Sequence, residues 1–497
     1  MRFAGGRFAA LAFLLAGVPA LGAQTGATSA AGSASMRSAE TQRHIEGVEA
    51  GLLPPVVVKG DAHAAQTLQE RMAALHVPGV SVAVIHHGQI EWAEGFGVMK
   101  VGGPAVTADT LFQAGSISKP VAALAALKLV EEGKLSLDAD VNTELKSWKL
   151  PYGPEAKGKV VTLRELLTHT GGTTVHGFPG YAAGEPVPTL VQVLNGEKPA
   201  NTPAIRVEAE PGTRWNYSGG GITIMQLMMI EASGEPFPKL LHDTVLAPIG
   251  MTHSTYQQPL PEDWKAMAAT PYQGDGQPVV GGAHTYPEMA AAGLWTTPTD
   301  LAKYAIEVER SLEGKANHVL TKSMTEQMLT PGMGGWGLGV EIGGSKTDPY
   351  FTHGGVNVGF ESDFAAYEKD GEGAVVMTNA QGGSRIADEV LRSVAAEYGW
   401  PDWKPLERTV VAVDPKILAE YVGTYGLAPN FDLVVTVKDG HLMAQGTGQR
   451  ALELLPESAT KFFTLQMNAE VEFFPDAQGK VTYLVLHQGG DHKAMKK

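Results

Sequence analysis

Ser116-Ile117-Ser118-Lys119 sets a hydroxyl and an amine three positions apart at the head of an apolar run, Pro120 to Val130. An α-helix turns once in about 3.6 residues, so the two groups share a face if the run is helical. A hydroxyl is a weak nucleophile until a neighbouring base takes its proton. A lysine stripped of water can be that base, because burial lowers its pKa. The unpaired N–H groups at a helix start also favour negative charge developing beside them. Spacing alone is insufficient, since Ser458-Ala459-Thr460-Lys461 repeats it and is followed by Phe462-Phe463-Thr464-Leu465, which reads as strand.

Two further segments offer partners. Pro211 to Gly221 (PGTRWNYSGGG) is a polar, aromatic, glycine-dense loop ahead of an apolar helical run. Tyr217 within it could relay a proton, and an adjacent lysine ammonium would favour its phenolate. Taken alone, such a residue is more often a packed tyrosine that caps a loop. In Phe351 to Phe360 (FTHGGVNVGF) a strand-like run is interrupted by paired glycines, which permit close approach of another backbone or a substrate. His353 there is either a cleft group or a core or edge-strand histidine.

The elements that must position these groups follow from periodicity and punctuation. Residues 24–60 are rich in Ala, Ser, Gly and Thr and read as a poorly ordered leader. Ala64 to Leu75 has helical spacing. Val80 to Ile85 and Ile90 to Phe96 read as a hairpin through His86-His87-Gly88-Gln89, whose histidines are expected to be solvated. The Ser116 helix should end at Gly133. Residues 135–330 read as mostly helical, with helices over Thr162 to Thr168 and Gly221 to Ala232 and one opened by Thr297-Pro298-Thr299-Asp300. Strands return at Gly337 to Ile342, Tyr350 to Thr352, Phe360 to Tyr367 and Gly373 to Thr378, before a helix over Ile386 to Tyr398. This order predicts an α+β sandwich whose sheet gathers both ends of the domain. Residues 401–415 read as a linker. Residues 416–497 show short strands with turn signals and predict a small antiparallel β-barrel or sandwich.

Together the motifs resemble those of the penicillin-recognising serine hydrolases, closest to class C β-lactamases and their esterase and D-peptidase relatives. Phe112 to Lys119 resembles the first family motif, and S-x-x-K is a recognised β-lactamase signature. Tyr217-Ser218-Gly219 stands where the family has Tyr-x-Asn. His353-Gly354-Gly355 stands where it has Lys-Thr-Gly or His-x-Gly. Leu166 to Gly172 (LLTHTGG) resembles a recurrent structural segment. The likeness covers about residues 61–400, and the remainder resembles a lipocalin-like appended domain. It implies a β-lactamase-like sandwich in which Ser116 is the nucleophile, with Lys119 and Tyr217 acting together as base. His353, Gly354, Gly355 and Gly219 would line the substrate site, and the N–H groups of Ser116 and Val356 would form the oxyanion hole. Neither metal nor cofactor is implied. Two departures matter. Gly219 lacks the amide that would bond the substrate, a contact worth about 1 kcal/mol. His353 replaces a lysine that would hold a substrate carboxylate, and a histidine is mostly neutral at pH 7. Both favour an esterase or tolerant peptidase over an efficient β-lactamase. Val191-Gln192-Val193-Leu194-Asn195, the string comparable to the class A deacylating segment, carries no acid. A non-catalytic or slowly deacylating penicillin- or peptidoglycan-binding protein is the alternative.

Composition narrows the setting. The net charge is -15 and no basic block occurs, which argues against nucleic acid and anionic membranes as partners; a small molecule or peptide substrate remains. The chain has no cysteine, hence no thiol nucleophile, disulfide or thiolate metal site. Arg2, Arg7 and the apolar Phe8 to Val18 read as a signal peptide over 1–23, too short to span a bilayer, so an exported periplasmic or secreted protein is expected. There is no G-x-S-x-G elbow, no H-E-x-x-H and no phosphate-cradling lysine loop.

Overall fold

The computed structural model describes residues 37–478 and 480–497. The expected signal peptide and the start of the leader lie outside the described residues. A six-stranded antiparallel sheet runs in the order Gln89–Gly97, Gly79–His86, Gly373–Thr378, Phe360–Tyr367, Pro349–Asn357, Glu341–Gly344. Its two central apolar strands alternate between two cores. Ala83, Ile85, Val375 and Met377 enter one; Val80, Val82, Val84, Ala374 and Val376 enter the other. Successive strand side chains point to opposite faces, so an unbroken apolar run requires both faces covered. The helix Pro298–Glu313 packs on one face and Gly383–Glu397 on the other.

The helix Ser118–Glu131 is buried almost all round, from Ser118 to Leu127 without a break. Gly219–Ser233 is buried likewise over its first eleven residues. A helix apolar on every side belongs inside a domain, and these two form the centre of the helical region beside the sheet.

Several boundaries differ from the sequence reading. Part of the expected leader is folded: Ala39–Ala50 is a helix that buries Ile45 and Val48, and Ser393 Oγ donates to Val48 O at 2.8 Å. Its polar composition hid a narrow apolar seam. Part of the expected linker is a strand, Leu406–Arg408, paired in parallel with Val56–Val58. Such a pairing between remote segments leaves no local signal. Asp414-Pro415, at the end of that linker, opens a helix, Pro415–Tyr421, with Asp414 as its N-cap.

The C-terminal segment is a closed eight-stranded antiparallel barrel. Two strands not anticipated from sequence, Leu452–Pro456 and Asp491–Lys496, complete it; the second pairs with Gly423–Ala428 and closes the ring. Tyr421 stacks on Phe473 at 4.2 Å in its core. The second S-x-x-K lies here. Ser458 Oγ caps a turn by accepting from Lys461 N at 3.0 Å, and the Lys461 amine pairs with Glu470, so this match is structural.

Asn379 ties the sheet to two loops. Its fully buried side chain accepts from Gly79 N at 2.8 Å and donates to Met99 O and Thr270 O, each at 3.1 Å. Truncation would orphan these backbone groups, each costing about 1–3 kcal/mol when buried. Asn379→Ala is therefore expected to lower stability by about 2–4 kcal/mol, read from the urea midpoint at unchanged m-value.

A candidate active site around Ser116 and Lys119

A short 3-10 turn, Gly115–Ile117, leads into the Ser118 helix and brings the two groups together. Lys119 Nζ donates to Ser116 Oγ at 2.8 Å and to Ala291 O at 2.8 Å. Lys119 is only 2% exposed, whereas Ser116 is half-buried and reachable. Burial lowers the Lys119 pKa from its usual range to about 7, so much of it is a neutral amine with a lone pair near neutral pH.

The surroundings are held rigidly. Ser118 Oγ donates to Gly115 O at 2.6 Å and accepts from Leu294 N at 3.0 Å, while Tyr256 donates to Ser118 O at 2.6 Å. The segment carrying Ala291 is clamped by Gln226, which donates to Pro287 O at 3.0 Å and accepts from Ala290 N at 2.9 Å. Asn357 donates to Gln113 Oε1 and Ala292 O, both at 3.0 Å, joining the histidine-bearing strand to the same layer.

Tyr217 lies beside this pair. The Lys119 amine stands 5.0 Å from its ring centroid. Burial pushes the phenol pKa well up, with an opposing hydrogen bond to the Ser116 side chain. Its hydroxyl is therefore a proton donor at neutral pH. Burial acts against the phenolate that a neighbouring ammonium would favour, because it disfavours the charged form of both residues.

His353 is 4% exposed, and its pKa is lowered to about 3 by burial and by the Lys119 charge. It is a neutral imidazole at ordinary pH. Nδ1 lies 2.6 Å from Gly354 O, an acceptor, so Nδ1 carries the proton. Nε2 is then a bare acceptor, and it has no hydrogen-bond partner among the described residues.

The paired glycines have a steric reason. A Cβ on Gly355 would stand 1.9 Å from Ala114 O. One on Gly115, which has a φ of +53°, would stand 2.5 Å from Val356 N. The strand is thus pressed against the turn bearing Ser116, and the Val356 backbone reaches that turn. Gly354 and Val356 are exposed. Gly219 sits differently. It is buried at the start of its helix, and a Cβ there would meet Phe178 Cε2 at 2.9 Å and His176 O at 3.2 Å. The Phe178 ring occupies the volume an asparagine side chain would need.

Sequence reasoning missed the aromatic wall. The His169 ring packs 4.4 Å from Tyr217 and 5.0 Å from Trp336, and Trp336 lies 5.5 Å from both Trp215 and His353. Trp215 is 38% exposed and Met333 beside this wall is 43% exposed. Trp215 lies two residues before Tyr217 in the same motif and was open to recognition from sequence. Trp336 arrives from a distant glycine-rich turn and was not.

A family model described as Beta-lactamase matches residues 64–397. The chain belongs to the beta-lactamase family. It is a serine hydrolase of that superfamily. A second model, described as Domain of unknown function (DUF3471), matches residues 407–496. A penicillin-binding protein of Bacillus subtilis (strain 168) is 23% identical over 470 residues, covering 87% of this chain and 98% of its own. Esterase EstB of Burkholderia gladioli is 31% identical over 229 residues, 44% of this chain and 55% of the esterase. The solved octameric penicillin-binding protein homologue from Pyrococcus abyssi superposes with a TM-score of 0.58 at 23% identity, covering 86% of this chain and 98% of that one.

The contact between Gly355 and Ala114 O yields a direct test. Gly355→Ala should cost about 1–3 kcal/mol of stability as an overpacked contact. It should also lower hydrolytic activity about tenfold or more in the fraction that remains folded, through displacement of the Ser116 turn. Thermal unfolding and esterase assays on the same preparation would separate the two effects.

Proposed function

We propose that the protein hydrolyses esters or amides through an acyl-enzyme on Ser116, with uncharged esters as its best substrates. The 2.8 Å contact between Ser116 Oγ and the buried Lys119 amine carries this reading. In the first step neutral Lys119 takes the Ser116 proton as Oγ bonds to the substrate carbonyl carbon. The oxyanion is held by the N–H groups of Ser116 and Val356; one such donor is worth roughly 10²–10³ in rate elsewhere. Collapse breaks the bond to the leaving group. That group takes a proton from the Tyr217 hydroxyl, which is restored from Lys119. Water, deprotonated by the same pair, then attacks the acyl carbon and releases Ser116 and the acid.

Three observations favour an uncharged, partly apolar substrate. The neutral, buried His353 supplies no cation for a carboxylate. Phe178 fills the place of the missing amide. Trp215, Trp336 and Met333 supply an apolar wall. The similarity to an esterase supports the same assignment. We place the protein outside the cytoplasm, supported by the signal-like composition of residues 1–23.

Ser116→Ala is expected to reduce turnover of short-chain p-nitrophenyl esters by at least about 10³-fold. Esters should be cleaved faster than D-amino-acid amides or nitrocefin. Intact mass spectrometry of wild type should show a transient acyl adduct that Ser116→Ala lacks. Retained activity in that variant would refute the mechanism, and a persistent adduct without turnover would mark a binding protein instead.

The pH profile tests the base. Lys119 must be unprotonated to accept the serine proton, so kcat/KM should rise with pH up to about 7 and level off above it. His353, held at about 3, and His169, held well below the usual histidine range by burial, contribute no limb there. His353→Gln should therefore leave the inflection in place. A rise continuing to the ordinary lysine range would exclude Lys119 as a buried base.

A further inference from the structure

We propose that His86, His87 and Glu372 form a binding site for a divalent transition-metal ion of the zinc class, outside the residues gathered around Ser116. Ile85 pairs with Gly373 across adjacent strands, which brings the 86–89 turn beside Glu372. Consecutive strand residues normally point to opposite faces. His87 escapes this through a left-handed φ of 52°, which folds its ring back onto that of His86, with centroids 3.8 Å apart. The Nδ1 atoms of His86 and His87 then lie 2.8 and 3.8 Å from the same oxygen of Glu372. The three candidate ligand atoms all lie within 4.8 Å of one another. Ligands about 2.0–2.2 Å from a tetrahedral zinc stand roughly 3.3 Å apart, and the observed separations straddle that value.

The environment supports coordination over a simple ion pair. Trp400 Nε1 donates to the other Glu372 oxygen at 3.3 Å, the type of outer bond that orients a ligating carboxylate. Gly88 N donates to Gly371 O at 2.9 Å, and a Cβ on Gly371 would stand 2.1 Å from Gly88 N, so the two turns are locked together. His87 also lines a cavity of about 500 Å³ with Glu309, Glu313 and Asp370. Glu309 is 4% exposed, and neither of its carboxylate oxygens has a partner among the described residues. Burial and nearby acids hold the Glu309 carboxyl up at about 9, so the cavity's negative charge comes from Glu313 and Asp370, with Arg310, Lys315 and Lys369 lining it too. The His87 side chain is 79% exposed, which gives an ion an entry path and leaves coordination positions open. Two imidazoles and one carboxylate suit zinc, copper or nickel rather than calcium or magnesium.

Tag-free full-length protein, stripped with chelator and dialysed against dilute ZnCl2, should retain one zinc per chain by elemental analysis. Its Tm should rise by about 2 °C or more, since the ion binds only the folded chain. His87→Asn, at an exposed position, and Glu372→Gln should each weaken zinc binding about tenfold or more and remove the Tm rise. Circular dichroism would verify both folds, with His87→Asn deciding if Glu372→Gln unfolds. Failure of wild type to retain zinc overturns the proposal, as does equal affinity and Tm rise in folded His87→Asn.

Discussion

The burial of Lys119 is the constraint on which the rest of the site depends. An ammonium removed from water is costly, so the group releases its proton near neutrality. The arrangement combines a helix enclosed on every side, a carbonyl to fix the amine, and a hydroxyl within reach. The Ser118 helix, Ala291 and Ser116 supply these in turn. Most of the unusual local features serve that enclosure: the glycines at 115 and 355, the clamp of Gln226 on the Ala291 segment, and the bonds from Asn357 to neighbouring layers.

The same dry environment sets the other titrating groups. Tyr217 is kept protonated and His353 and His169 neutral, so the site holds donors and acceptors without fixed charge. Lys119 is poised to change state near pH 7. The site thus offers no fixed charge to a substrate, and Trp215 and Met333 expose apolar surface beside it. The two departures from the family pattern, Gly219 and His353, both leave the site with fewer polar or charged side-chain groups than the family motifs carry.

The barrel and the sheet edge show different ways of holding turns in place. The barrel buries Tyr421 and Phe473 in a stack and closes its edge by pairing its first and last strands. At the end of the large sheet, two hairpin turns meet through His86, His87 and Glu372, where polar side chains occupy the seam between them.

The sequence by itself determined the candidate site residues, the family resemblance and most element types. Nucleophile, amine, tyrosine and histidine were legible because each sits in a short motif with its own periodic or glycine-marked setting. The hairpin, the buried helices and the barrel strands were legible because local periodicity records which faces are covered. Local context already set the two S-x-x-K matches apart, with helix after one and strand after the other; tertiary structure added that Lys119 is buried while Lys461 is paired with Glu470. It also decided that Phe178 displaces the missing amide, that Trp336 joins the pocket, that the supposed leader and linker are partly folded, and that Val56–Val58 pairs with Leu406–Arg408. Each of these depends on contacts between residues far apart in the chain, and desolvation and long-range pairing leave no mark in the local pattern.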